Sequence, residues 1–301
     1  MNVSSESTKK VIILQLVVAI IWGATWVAGR IASLEAPALV VAGWRVALAM
    51  LTLGILVWKK EGRIPLLPSP MIPTIFLMGL LGIFAYAVCF FYGLKHIPAG
   101  QGALVVALNP VVVALASCLF MGERLNQKKI LGIFIALIGS LIVLGKGDPI
   151  SVLEGHVSFG QILILGCVIF WTMYTLLGRR ASSSVSSLVM TFYATVVGGI
   201  LLIGLGLIEG SLRIFPAFSV AGWISMFFLG VLGSALAYVW YAQGLKVLGA
   251  TRTAIFINLV PVSAVILSAV ILKESIEPMT LVGGALIISG VALTNHIRRS
   301  V

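Results

Sequence analysis

Ten apolar runs, each long enough to cross the hydrocarbon core of a bilayer as a helix, divide this chain with little left over. They fall at roughly 11–31, 37–58, 71–94, 98–121, 128–144, 158–178, 186–208, 218–245, 250–272 and 278–297. A helix rises about 1.5 Å per residue, so about 20 apolar residues span about 30 Å of hydrocarbon. The runs are continuous rather than alternating. That selects helices over a barrel, because in lipid each backbone amide must find its partner inside the structure. The longest breaks, 59–70 and 145–157, read KKEGRIPLLPSP and GKGDPISVLEGHV, with the Pro, Gly and charge of surface loops. With 60% apolar and only 10% charged residues, and a mean hydropathy of +1.16, the chain lacks the polar side chains to cover a soluble globule. The expected fold class is an all-α integral membrane protein with ten transmembrane helices.

Lys9 and Lys10 precede the first run as they would a signal peptide. Its apolar stretch is about twice the usual 7–15 residues, and its motif recurs later, so it is read as a helix. Lys and Arg set the orientation. If both termini face the cytoplasm, the far side holds only Arg30, Lys95, Lys146, Arg213 and Lys273. Arg45 lies inside a span, and the other fourteen of the twenty basic residues face the cytoplasm. Positive charge favours that side, so a multi-pass inner-membrane protein with cytoplasmic termini is expected. The net charge of +11 is scattered over membrane-edge loops rather than gathered on one face, so nucleic acid is not an expected partner. Cys89, Cys118 and Cys167 fall inside spans without metal or disulfide spacing and read as packing residues. No metal or cofactor is expected.

The chain also repeats itself. Shifted by 151 positions, Gly79, Gly82, Gly93, Lys95, Pro110, Glu123, Gly132 and Gly139 fall on Gly230, Gly233, Gly244, Lys246, Pro261, Glu274, Gly283 and Gly290. Shifted by 149, Ile20, Trp22, Gly29 and Arg30 fall on Ile169, Trp171, Gly178 and Arg179. Each copy holds five spans, and an odd number starts the second copy on the opposite side of the membrane. The expected organisation is a tail at 1–10, a first repeat at 11–144, an external loop at 145–157, an inverted repeat at 158–297 and a tail at 298–301. Inverted repeats around a central cavity are the architecture of alternating-access transporters.

The residues also carry a family resemblance. WGATWVAGR in the first span, Pro37 and Arg45 in the second, Asn109-Pro110 in the fourth, and MGERL followed by Gly132 and Gly139 resemble the drug/metabolite transporter superfamily, EamA type. Pro261, LKESI, Gly283 and Gly290 repeat the pattern. The resemblance implies a ten-helix exporter of small metabolites or amino acids in a bacterial inner membrane.

Arg45 is the most informative polar residue, about eight residues into its span. A charge there is costly in lipid, so it faces a wet cavity, a partner or the interface. Two readings stand: a structural bond or snorkelling, and a counter-charge for a substrate carboxylate. The repeat-equivalent residue is Ala194, so any such charge is asymmetric. Trp22 and Trp26 share a helix face, and the equivalent span supplies Trp171 and Tyr174. Phe90 aligns with Tyr241, with Tyr86 and Tyr238 about one turn before them. These rings line a cavity or simply pack. Asn109 with Pro110, and Asn258 with Pro261, mark kinks that gate the fourth and ninth helices or merely bend them. Gln101 and Gln243 lie near helix ends, where solvent satisfies them. Glu123 and Glu274 read as caps or partners of Arg124 and Lys273. The Gly132/Gly139 and Gly283/Gly290 pairs read as a close-packing seam.

All nine acidic residues lie at or outside span ends, which disfavours a membrane-embedded proton-coupled carboxylate. No HExxH, GxSxG or buried acid pair is present to support an intramembrane enzyme. A passive channel has no need of inverted halves. The expectation is an alternating-access exporter of small metabolites such as amino acids, with a hydrophobic-drug exporter as the alternative. A nucleotide-sugar carrier is disfavoured, since only one deep cation is available for phosphates. The expected partners are a small-molecule metabolite and membrane lipids, in a monomer or weak homodimer.

Overall fold

A computed structural model of the chain describes residues 5–121, 127–181, 184–211, 217–248, 256 and 259–294. Among the described residues every regular element is a helix. In chain order they are α1 (Ser5–Glu35), α2 (Ala38–Glu61), α3 (Ser69–His96), α4 (Ala99–Val106), α5 (Asn109–Met121) and α6 (Gln127–Leu144). After these come α7 (Pro149–Leu153), α8 (Phe159–Ala181), α9 (Ser187–Ile208), α10 (Val220–Tyr241), α11 (Leu259–Ile271) and α12 (Pro278–Thr294). Among the described residues eight stretches, with α4 and α5 together supplying one, are long and apolar enough to cross a membrane, and α11 and α12 are shorter apolar helices. Large apolar side chains point outward around the bundle: Ile20, Leu51, Phe134, Ile200 and Ile266 are each more than half exposed. Such a surface is stable only against lipid.

Local chemistry sets the helix ends. Gly62, at φ 68°, takes the left-handed conformation that closes α2 and donates its N–H to the Trp58 carbonyl at 2.9 Å. Ser186 and Ser219 cap α9 and α10 through their hydroxyls. At one end of the bundle two carboxylates cap helices distant in sequence. Glu274 accepts from the N–H groups of Ala99 and Gly100 at the start of α4, at 3.1 and 3.3 Å. Glu35, at the end of α1, accepts from the N–H and hydroxyl of Ser219 at 2.9 and 2.7 Å. Capping is therefore the role of Glu274, and it reaches across the chain. Glu123 lies outside the described residues.

The fourth span is interrupted where Pro110 removes an amide. α4 ends at Val106, Leu108 donates back to Val105 at 3.1 Å, and Val111 to Leu108 at 2.9 Å, before α5 continues. Pro261 is buried as the third residue of α11, and Asn258 before it lies outside the described residues. Gln101 departs from expectation. It is buried, because α6 covers it, and its amide donates to the Val143 carbonyl at 3.1 Å rather than to solvent.

Small residues let the helices meet backbone to backbone. A Cβ on Gly139 of α6 would lie 2.6 Å from the Gly283 carbonyl oxygen of α12, and one on Gly290 would lie 2.5 Å from that of Gly132. The offset of 151 exchanges these two contacts. Elsewhere Gly82 meets Tyr174 while Gly233 meets Thr25, and Gly79 meets Val197 while Gly230 meets Leu48. Each pair is the other's counterpart under the offsets of 151 and 149.

Two segments wind as π-helix, Met78–Ala85 in α3 and Phe228–Leu236 in α10. The offset of 151 carries the first onto 229–236. Nothing in the apolar pattern announces this wider turn, which is rare and tends to mark functional positions.

Candidate functional site

The two π-segments flank a cluster of rings at the middle of the bundle. Trp22 of α1 packs on Trp171 of α8 with centroids 6.4 Å apart, and on Tyr238 and Tyr241 of α10 at 5.4 and 5.3 Å. Trp171 continues to Tyr174 at 5.5 Å, to Tyr238 at 6.0 Å and to Tyr86 of α3 at 5.9 Å. Tyr86 stacks on Phe90 at 5.9 Å, and Phe90 meets Trp26 edge-on at 4.8 Å. The structure thus joins all eight aromatic residues singled out from the sequence in one network. Most of the contacts are edge-to-face or tilted, as ring quadrupoles prefer. Trp22 is further fixed by its indole N–H, which donates to the Gly233 carbonyl in the π-turn of α10 at 3.0 Å.

Arg45 of α2 enters this cluster half-buried. Its guanidinium carbon sits 5.8 Å from the Phe90 ring centroid and 5.6 Å from that of Phe91. Its Nε donates to the Ser234 hydroxyl at 2.8 Å, and that hydroxyl in turn donates to the Leu229 carbonyl, five residues back, at 2.7 Å. Between Arg45, Ile83, Tyr86, Thr191, Thr195, Ser234 and Tyr238 lies a cavity of about 20 Å³. That is room for about one water, so a solute can enter only if the surrounding helices part.

The remaining candidates stand elsewhere. Asn109 opens α5 with its Oδ1 buried and unpartnered, and it is not among the residues lining the Arg45 cavity. Pro261 is also outside that lining, and the Pro110 side chain falls outside what the structure describes. Sequence reasoning missed Ser234, Thr191 and Thr195. A signal existed: Thr191 and Thr195 bracket Ala194, the counterpart of Arg45, at the four-residue spacing that puts both on one helix face.

The EamA-like transporter family profile matches residues 9–145 and matches again at 158–296. The chain belongs to this family. Its membership, with eight stretches among the described residues long and apolar enough to cross a membrane, makes it a multi-pass membrane transporter. This EamA-like protein is 31% identical over 258 residues to "Uncharacterized transporter YyaM" of Bacillus subtilis, covering 86% of this chain and 84% of the relative. It is 30% identical over 227 residues to "Probable terminal-alkyne amino-acid exporter" of Streptantibioticus cattleyicolor, covering 75% and 73%. A solved crystal structure shares the fold of the EamA-like chain with a TM-score of 0.64 at 21% identity, covering 95% of this chain and 98% of that one.

Proposed function

We propose that the protein exports small carboxylate-bearing metabolites, amino acids foremost, from the cytoplasm across the inner membrane. One observation carries the reading. Among the described residues, a half-buried arginine in mid-bundle spends only its Nε on a protein acceptor, leaving its terminal nitrogens for a solute in a cavity that Tyr86 and Tyr238 also line. A guanidinium in a low-dielectric site binds a carboxylate strongly and bidentately. The rings of Tyr86 and Tyr238 line the cavity, and those of Trp22, Trp171, Tyr174 and Tyr241, packed on them, receive the apolar remainder once the helices part, with Trp26 and Phe90 beyond. Asn109 and Asn258 are cavity candidates at the bent fourth and ninth helices, and Pro110 and Pro261 are their flexing points. The name of the Streptantibioticus cattleyicolor relative is in keeping with an amino-acid solute.

The working cycle is alternating access between two inverted five-helix copies, with repeats at 11–144 and 158–297 and both termini cytoplasmic. The doubled family match, the exchanged glycine contacts and the paired π-segments support it. The narrow cavity corresponds to a closed state in that cycle. The ring network also favours a second reading, export of hydrophobic drugs, in which Arg45 serves packing alone.

Counterflow in proteoliposomes over a panel of amino acids separates the two. Saturable exchange that Arg45→Ala abolishes supports the first reading. Exchange unchanged by Arg45→Ala and Trp22→Ala together removes the site assignment.

A further inference from the structure

The cavity is asymmetric although the chain is repeated. Under the offsets of 149 and 151, Arg45 and Ser234 have Ala194 and Ile83 as counterparts, and Ile83 itself lines the cavity. Val46 lines it together with its counterpart Thr195, and Ala87 together with its counterpart Tyr238. Each pair sets a polar side chain against an apolar one.

Ser234 sits within the π-segment Phe228–Leu236, where the wider turn brings it to Arg45. Its single proton is committed to the Leu229 carbonyl. Toward Arg45 the hydroxyl therefore presents only lone pairs, which a guanidinium Nε–H matches and a carboxylate does not. Held at Nε and resting on Phe90 and Phe91, the guanidinium fork has its orientation fixed.

We propose that Ser234 is a positioning residue that aims Arg45 into the cavity. The pair makes the one charged group in a lining otherwise made of neutral side chains, Ile83, Val46 and Ala87 among them, and selects solutes with one carboxylate and an apolar tail over dicarboxylates. This rests on the reading that Arg45 receives the solute carboxylate. A second carboxylate would find no second cation among the described lining residues, at a large desolvation penalty.

The test uses the full chain in phospholipid nanodiscs, with thermal unfolding followed against L-leucine, L-leucinamide, which lacks the carboxylate, and L-glutamate. Leucine is expected to stabilise the wild type, and leucinamide and glutamate to do so far less. Ser234→Ala should weaken leucine binding about tenfold or more, since a hydrogen bond to a charged group is lost. Ser234→Thr, which keeps the hydroxyl, should restore it, and neither change should alter the response to leucinamide. A merely structural serine would affect leucine and leucinamide alike. Leucine affinity unchanged in Ser234→Ala but lost in Arg45→Ala overturns the role of Ser234 and leaves the carboxylate reading standing. Affinity unchanged in Arg45→Ala overturns that reading and this inference with it. Glutamate binding as tightly as leucine overturns the single-charge cavity, and a wild type unmoved by leucine overturns the solute class.

Discussion

The indole nitrogen of Trp22 donates to the carbonyl oxygen of Gly233, 3.0 Å away and 211 residues along the chain. This bond ties the first helix to the π-turn of α10. Trp22→Phe keeps a ring for Tyr238 and Tyr241 but leaves that carbonyl without its donor. The expected loss is about 1–3 kcal/mol of stability, read as a lowered thermal midpoint, together with slower transport. A midpoint equal to that of the wild type would show that the bond contributes nothing.

Gly139 admits the Gly283 backbone, so Gly139→Ala should destabilise the α6–α12 seam by about 1–3 kcal/mol through overpacking. Gly204 of α9 supplies the control, since a Cβ there meets nothing within 4 Å. Gly204→Ala is expected to be neutral or slightly stabilising, because alanine is the better helix former. Thermal unfolding of both variants checks the contrast.

The carboxylate of Glu274 satisfies two amides that α4 cannot satisfy itself. Glu274→Ala should lower stability by about 0.5–2 kcal/mol. Hydrogen exchange provides a local readout: protection should fall at Ala99 and Gly100 first. Uniform loss across the bundle would assign Glu274 a different role.

Inversion of the two copies predicts that Lys95 and Lys246, equivalent in the repeat, emerge on opposite faces of the membrane. Single cysteines at these positions, in a background lacking Cys89, Cys118 and Cys167, should react with an impermeant maleimide from opposite sides. Labelling of both from one side ends the inverted-repeat reading.

The aromatic cluster was legible in outline because ring type and helix period are written in the chain. Trp22 and Trp171 align by a shift of 149, Phe90 and Tyr241 by 151, and the structure joins them in one network. Gln101 was misjudged because its surroundings depend on α6, which contacts it from 42 residues away. The sequence marks Asn109 only as a polar residue at a kink, and it does not show that its Oδ1 is buried without a partner.

By itself the sequence determined the helical membrane class, the repetition at offsets of 149 and 151, and which aromatic residues gather in one network. Length, hydropathy and repetition are properties of the chain, and lipid leaves a continuous apolar run no alternative to a helix. Only the tertiary structure decided that Ser234 meets Arg45, that Glu274 caps α4, and that two helices widen into π-turns around the cavity. Those outcomes depend on how closely glycine-bearing surfaces from distant segments approach one another, a distance that no local stretch of sequence encodes.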